Sequence, residues 1–149
     1  AVAVTEVAPK AIGSTRGMVH SERTSPYYPA WVASSPADLA EARLAIQRRD
    51  FSALAEVSES SCLKMHGVML SSRPGLVYWN GATVECIRAI RGLRADGVPV
   101  FFTIDAGPQV KAICRPEAFD QVVTVLRGVE GVQTVLASGL GNGARVIPE

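Results

Sequence analysis

Apolar positions recur along the 149-residue chain with two different spacings, every second residue in some blocks and every third or fourth in others. Val2, Val4 and Val7 alternate and predict a strand that Pro9 ends. Ser14 or Thr15 is placed to cap a helix running through His20 and Arg23. Thr24 to Val32 is aromatic and carries two prolines, which break helix, so the segment is expected to pin itself onto the core or a neighbouring domain. Ser35-Pro36-Ala37-Asp38 supplies a hydroxyl at N-cap, a proline at N1 and an acid at N3, predicting a helix to Arg49. Asp50 caps the next helix, whose stripe of Phe51, Leu54, Val57, Cys62, Met65, Val68 and Met69 repeats at helical period. His66, at the edge of that stripe, reads as a boundary side chain with a hydrogen bond rather than a catalytic base. Asn80 caps a further helix with Val84, Ile87 and Ile90 inward and Arg88, Arg91 and Arg94 on a solvated face; Asp96-Gly97 ends it.

The second half changes period. Val98 to Ile104 is an apolar, β-branched and aromatic run, and after the turn Ala106-Gly107-Pro108 a second strand starts at Val110. Arg115-Pro116-Glu117 opens a helix with Phe119, Val122, Val123 and Leu126 buried, and Gly128 ends it. Val132 to Ala137 predicts a strand, Gly139 to Gly143 a hairpin turn rather than a phosphate loop, and Arg145 to Ile147 a last strand. Strands joined by short turns pair antiparallel. The prediction is an α+β fold, an antiparallel sheet with helices packed on one face, as a single domain over residues 1–149.

With 48% hydrophobic residues the core can be substantial, and a formal net charge of +1 gives no general pull toward nucleic acid or anionic lipid. No apolar run reaches the length of a membrane span. Cys62, Cys86 and Cys114 lie far apart, form no C-x-x-C pair and have only two histidines beside them, so no metal site is expected. They read as reduced core thiols in a cytoplasmic protein, although spacing alone leaves a disulfide open. The start, Ala1 to Val7, reads as a strand already in progress, which points to a chain that begins mid-protein.

Asp105 is the first candidate for chemistry. A buried strand would hold it at the open end of a sheet, beside Ala106 and a Gly107 that lets a ligand approach the backbone. A fixed carboxylate there suits proton abstraction near a phosphorylated substrate; the plainer alternative is an acid that starts a turn. Ser14 and Thr15, at a helix N-terminus with Arg16 nearby, form a candidate phosphate contact, against the alternative of an ordinary cap.

The segments Gly13-Ser14-Thr15-Arg16-Gly17-Met18, Thr24-Ser25-Pro26-Tyr27-Tyr28, Ala45-Ile46-Gln47 with Asp50-Phe51, Met65-His66 and Phe102-Thr103-Ile104-Asp105-Ala106-Gly107-Pro108 occur in one order. Together they resemble diphosphomevalonate decarboxylase (mevalonate diphosphate decarboxylase) of the GHMP kinase superfamily, over nearly the whole chain. The resemblance implies the C-terminal, ferredoxin-like α+β domain of that family. It implies an enzyme that uses ATP and Mg²⁺ to phosphorylate and decarboxylate mevalonate 5-diphosphate to isopentenyl diphosphate, in isoprenoid biosynthesis. Asp105 would orient or deprotonate the tertiary hydroxyl, and Ser14, Thr15 and Met18 would contact substrate; Arg16, the candidate phosphate contact, is offset by one from the position, that of Thr15, at which some bacterial members carry an Arg. Gln109 stands where the family usually has Asn. The family's Gly-Leu-Ser-Ser phosphate loop has no counterpart here, so the chain is expected to be a C-terminal fragment or separated domain that is silent by itself, its partner the N-terminal ATP-binding domain of the same protein; family relatives are often homodimers. Two other classes compete: a related small-molecule kinase that stops before decarboxylation, and a non-catalytic ligand-binding or oligomerisation domain.

Overall fold

Phe102 has a small partner across the sheet, Ala112, and that pairing marks the centre of the fold. A computed structural model describes residues 1–143 and 145–147. The order is β1 (Val2–Val4), α1 (Ser14–Thr24), α2 (Tyr28–Arg48), α3 (Phe51–Leu70), α4 (Gly81–Ala95), β2 (Val100–Thr103), β3 (Val110–Cys114), a 3₁₀ turn at Pro116–Ala118, α5 (Phe119–Arg127) and β4 (Thr134–Leu136). The strands form one antiparallel sheet in the order β2-β3-β1-β4. Strand, helices, hairpin, helix, strand in that order is the ferredoxin-like arrangement.

Alternation puts Val100, Phe102, Val110, Ala112, Ala3 and Val135 on one face, where Ile87, Ile90 and Leu93 of α4 and Val122 and Leu126 of α5 cover them. Phe102 and Ile90 are fully buried, each contributing about 1.5–3 kcal/mol by area removed from water. The expected one-faced layer of helices is therefore present. α3 packs against β2 and α2. Among the described residues no helix is long and apolar enough to cross a membrane.

Both predicted acidic or amide caps form. Asp50 accepts from the Ala53 N–H at 3.0 Å, and Asn80 accepts from the Thr83 N–H at 2.8 Å in a reciprocal capping box. Several expectations need correction. α1 is preceded by Gly13 at N-cap with no side-chain cap, so neither Ser14 nor Thr15 caps it. α2 starts at Tyr28, seven residues before Ser35. Pro29 falls in its first turn, where no N–H is required, and Pro36 is carried inside the helix. Next to it the Ser34 and Ser35 hydroxyls both donate to the Trp31 carbonyl, at 3.0 and 2.8 Å. Val84 is 36% exposed, and Thr83 takes the buried position instead. Arg88, Arg91 and Arg94 do present a solvated face, with 72, 52 and 38% of their side chains exposed, but Arg91 and Arg94 also reach the buried carboxylate of Glu59, at 3.6 and 3.1 Å. Gly139 to Ile147 form no hairpin and no strand among the described residues, and Leu140, Val146 and Ile147 stay exposed; Ala144 lies outside the described residues.

Candidate functional site

β2 delivers its last residues to the mouth of a cleft of about 700 Å³ bounded by α1, α2 and α3. Ser14, Thr15 and Met18 of α1 line it, as do Thr103, Asp105 and Ala106 at the strand's end. Five of the sequence candidates therefore share one cavity. Gly107 sits just behind, buried, with φ at 88°, where a Cβ would lie 3.2 Å from Trp79 Cδ1 and 3.3 Å from the Tyr78 carbonyl oxygen. Glycine is required there both by the backbone and by the close approach. Arg16 does not line that cleft; it lines a neighbouring groove with Val19, His20 and Arg23, and Thr15 borders both.

Asp105 is 83% exposed at the side chain, and Lys111 Nζ donates to its Oδ2 at 2.5 Å. So exposed a pair adds little to stability. Its effect is orientational: one carboxylate oxygen is tethered and the other, Oδ1, has no protein hydrogen bond among the described residues. Lys111 was not a sequence candidate. The hairpin register, which sets it opposite Thr103, is the signal that could have identified it.

Behind the carboxylate, His66 is buried rather than at a boundary. Its Nε2 lies 3.3 Å from the Ile104 carbonyl oxygen, and its ring packs on Trp79 with centroids 4.7 Å apart. Burial pulls its pKa below the ordinary imidazole value, opposed by bonds to the Ile104 and Asp105 backbone and by the Asp105 charge. Cys62 reaches the cleft wall, and burial pushes its thiol up, so it stays protonated. Gln109 bridges the turn to the end of β1: its Oε1 accepts from the Thr5 N–H at 2.7 Å and its Nε2 donates to the Glu6 carbonyl.

Among the described residues the lining holds no Lys or Arg. Its polar atoms come from the hydroxyls of Ser14, Thr15, Ser35, Ser58, Ser61 and Thr103 and from two carboxylates, Asp105 and Asp38. Asp38 is tied to Lys64 at 2.5 Å. The first turn of α1 adds backbone N–H groups at the positive end of its dipole. Such a surface hydrogen-bonds hydroxyl and phosphate oxygens, with one tethered carboxylate to take or align a proton. Among the described residues no three His, Cys, Asp or Glu side chains gather as a metal cradle.

Residues 1–143 match the family described as Mevalonate 5-diphosphate decarboxylase C-terminal domain. A curated Phosphomevalonate decarboxylase of Haloferax volcanii is 30% identical over 132 residues, covering 87% of this chain and 40% of the relative. A solved mevalonate diphosphate decarboxylase from Staphylococcus aureus superposes with TM-score 0.79 at 34% identity, covering 85% of this chain and 38% of that one. A solved complex of MDDEF with MVAPP, AMPPCP and magnesium gives TM-score 0.82 at 31% identity, covering 90% of this chain and 41% of that one. The chain thus spans about two-fifths of the length of the proteins it matches.

Proposed function

The chain belongs to the mevalonate 5-diphosphate decarboxylase C-terminal domain family, and from that premise we propose that it supplies the substrate-side acid of an ATP-dependent decarboxylase. The substrate is mevalonate 5-diphosphate and the organic product isopentenyl diphosphate, in the mevalonate pathway. ATP supplies the phosphoryl group and Mg²⁺ offsets its charge; both are held, in this reading, mainly by an N-terminal ATP-binding domain that works with this chain. Asp105 accepts or aligns the proton of the tertiary hydroxyl, making its oxygen the nucleophile. Lys111 holds the carboxylate so that Oδ1 faces the substrate. Ser14, Thr15 and Met18 bind and orient the rest of the molecule from the opposite wall, and Ala106 and Gly107 keep the turn beside the carboxylate narrow. Three free thiols, Cys62, Cys86 and Cys114, accord with a reducing cytoplasm.

The observation that carries this reading is a tethered carboxylate sharing a cleft with the α1 hydroxyls. Positioning dominates phosphoryl transfer, so loss of that group is costly. In the protein that also contains the ATP site, Asp105→Ala should lower turnover by about three orders of magnitude with the fold intact by circular dichroism. Near-normal turnover would sink the assignment. Measuring CO₂ alongside ADP separates decarboxylation from simple phosphorylation. The name of the Haloferax relative motivates a second reading, in which the substrate carries one phosphate rather than two. Comparing CO₂ release from the monophosphate and the diphosphate decides between them.

A further inference from the structure

β2 is an edge strand, and edge strands leave a row of peptide groups without partners. Arg115 N–H donates to the Pro99 carbonyl across the hairpin, so in the antiparallel alternation residues 99, 101 and 103 turn their peptide groups toward β3, and Phe102 and Ile104 turn theirs to the open side. Ile104 is 1% exposed, and water cannot serve it. Side chains of α3 do. Phe102 N–H donates to Glu59 Oε1 at 3.3 Å. Ile104 N–H donates to Cys62 Sγ at 3.3 Å, and the Cys62 thiol donates back to the Ile104 carbonyl at 3.5 Å. His66 Nε2 meets the same carbonyl at 3.3 Å. Residues 59, 62 and 66 follow the spacing that lines one helix face.

We infer that Cys62 and His66, one turn apart on α3, are positioning residues for Asp105: between them they take both peptide polar groups of Ile104 and stand in for the neighbouring strand that β2 lacks. The acid's backbone is thereby fixed from the residue before it. It is fixed from beyond the turn as well, because the Trp79 ring that packs on His66 also closes against Gly107. The catalytic importance of this latch rests on the role proposed for Asp105; its existence does not.

Amide hydrogen exchange followed by NMR on the full chain reads the latch without substrate. Cys62→Ala should speed exchange at Ile104 about tenfold or more, while Cys62→Ser, which keeps an acceptor and a donor, stays near the parent rate. His66→Phe keeps the ring on Trp79 but cannot donate. In the protein with the ATP site it should lower kcat about ten- to a hundredfold with KM nearly unchanged. His66→Gln, which restores an N–H donor, should recover part of the loss. Unchanged Ile104 exchange in Cys62→Ala, or unchanged kcat in His66→Phe, overturns the inference. Should Cys62→Ala not fold, the Ile104 and Asp105 amides of His66→Phe give the same reading. Full turnover in Asp105→Ala would remove the reaction assignment alone and leave the exchange rates to judge the latch.

Discussion

His66 shows what a single buried imidazole does to the acid stability of this fold. Its ordinary pKa is 6.5 and burial holds the folded value lower. On acidification the unfolded chain therefore takes up the proton first. Stability is whole above pH 6.5 and falls as the pH drops from there toward the folded value, levelling off below it. Asp105 opposes the shift through its charge without reversing it. Urea unfolding followed between about pH 5 and 7.5 should show this acid-side loss, and His66→Phe should flatten it. An equal slope in that variant would place the titrating group elsewhere. The sequence places His66 beside the apolar stripe of α3 but not under Trp79 and Ile104, because those contacts join segments far apart in the chain. Glu59 is similar. Its burial is met by Arg91 and Arg94, which read from sequence as a water-facing row, and only the packing of α4 against α3 reveals the pairing. Asp105 itself was legible, since an apolar run ending in an acid before Ala-Gly-Pro fixes its place without any distant contact.

Helix ends were legible where a side chain caps them and illegible where proline misleads. Asn80 and Asp50 announce α4 and α3 through short-range bonds that need no tertiary context. The sequence puts the start of α2 seven residues too late because Pro29 reads as a breaker and Pro36 as the N1 residue of a new helix, yet the first costs nothing in an opening turn and the cost of the second, inside the helix, is overridden. What overrides it is the packing of α2 on α3, together with Ser34 and Ser35 bonding back to Trp31. Pro36 still removes one helical N–H and presses its ring against the preceding turn. Pro36→Ala restores the donor at a position 36 residue that is itself exposed. It should raise unfolding free energy by roughly 1–3 kcal/mol, measured by chemical denaturation. An unchanged or lower value would mean that the proline at position 36 is needed to seat Ser35 and Asp38 along the cleft.

For the whole molecule, the sheet and its helices were readable from periodicity, while the cleft's charge was not, because it depends on which side chains the fold turns inward. Among the described residues its lining presents hydroxyls and two carboxylates already held by lysines, with no Lys or Arg in the wall itself. A diphosphate brings several negative charges into that setting. The hydroxyls return about 0.5–1.5 kcal/mol per hydrogen bond, and the first turn of α1 adds a comparable dipolar contribution. Against them stands the ordering of the substrate, and Asp105 and Asp38, each paired with a lysine, add no net attraction. The chain alone should therefore show no saturable binding of mevalonate 5-diphosphate below about 1 mM by calorimetry, equivalent to ~4 kcal/mol or less. It should also release no CO₂ with ATP and Mg²⁺ present. Joined to an ATP-binding domain that brings cations over the open side of the cleft, it should gain both affinity and turnover, and the gain in affinity should weaken as salt is raised. Micromolar binding by the chain alone, or decarboxylation without that domain, would show that the hydroxyl-lined wall is enough and that the division of labour proposed for the two domains is wrong.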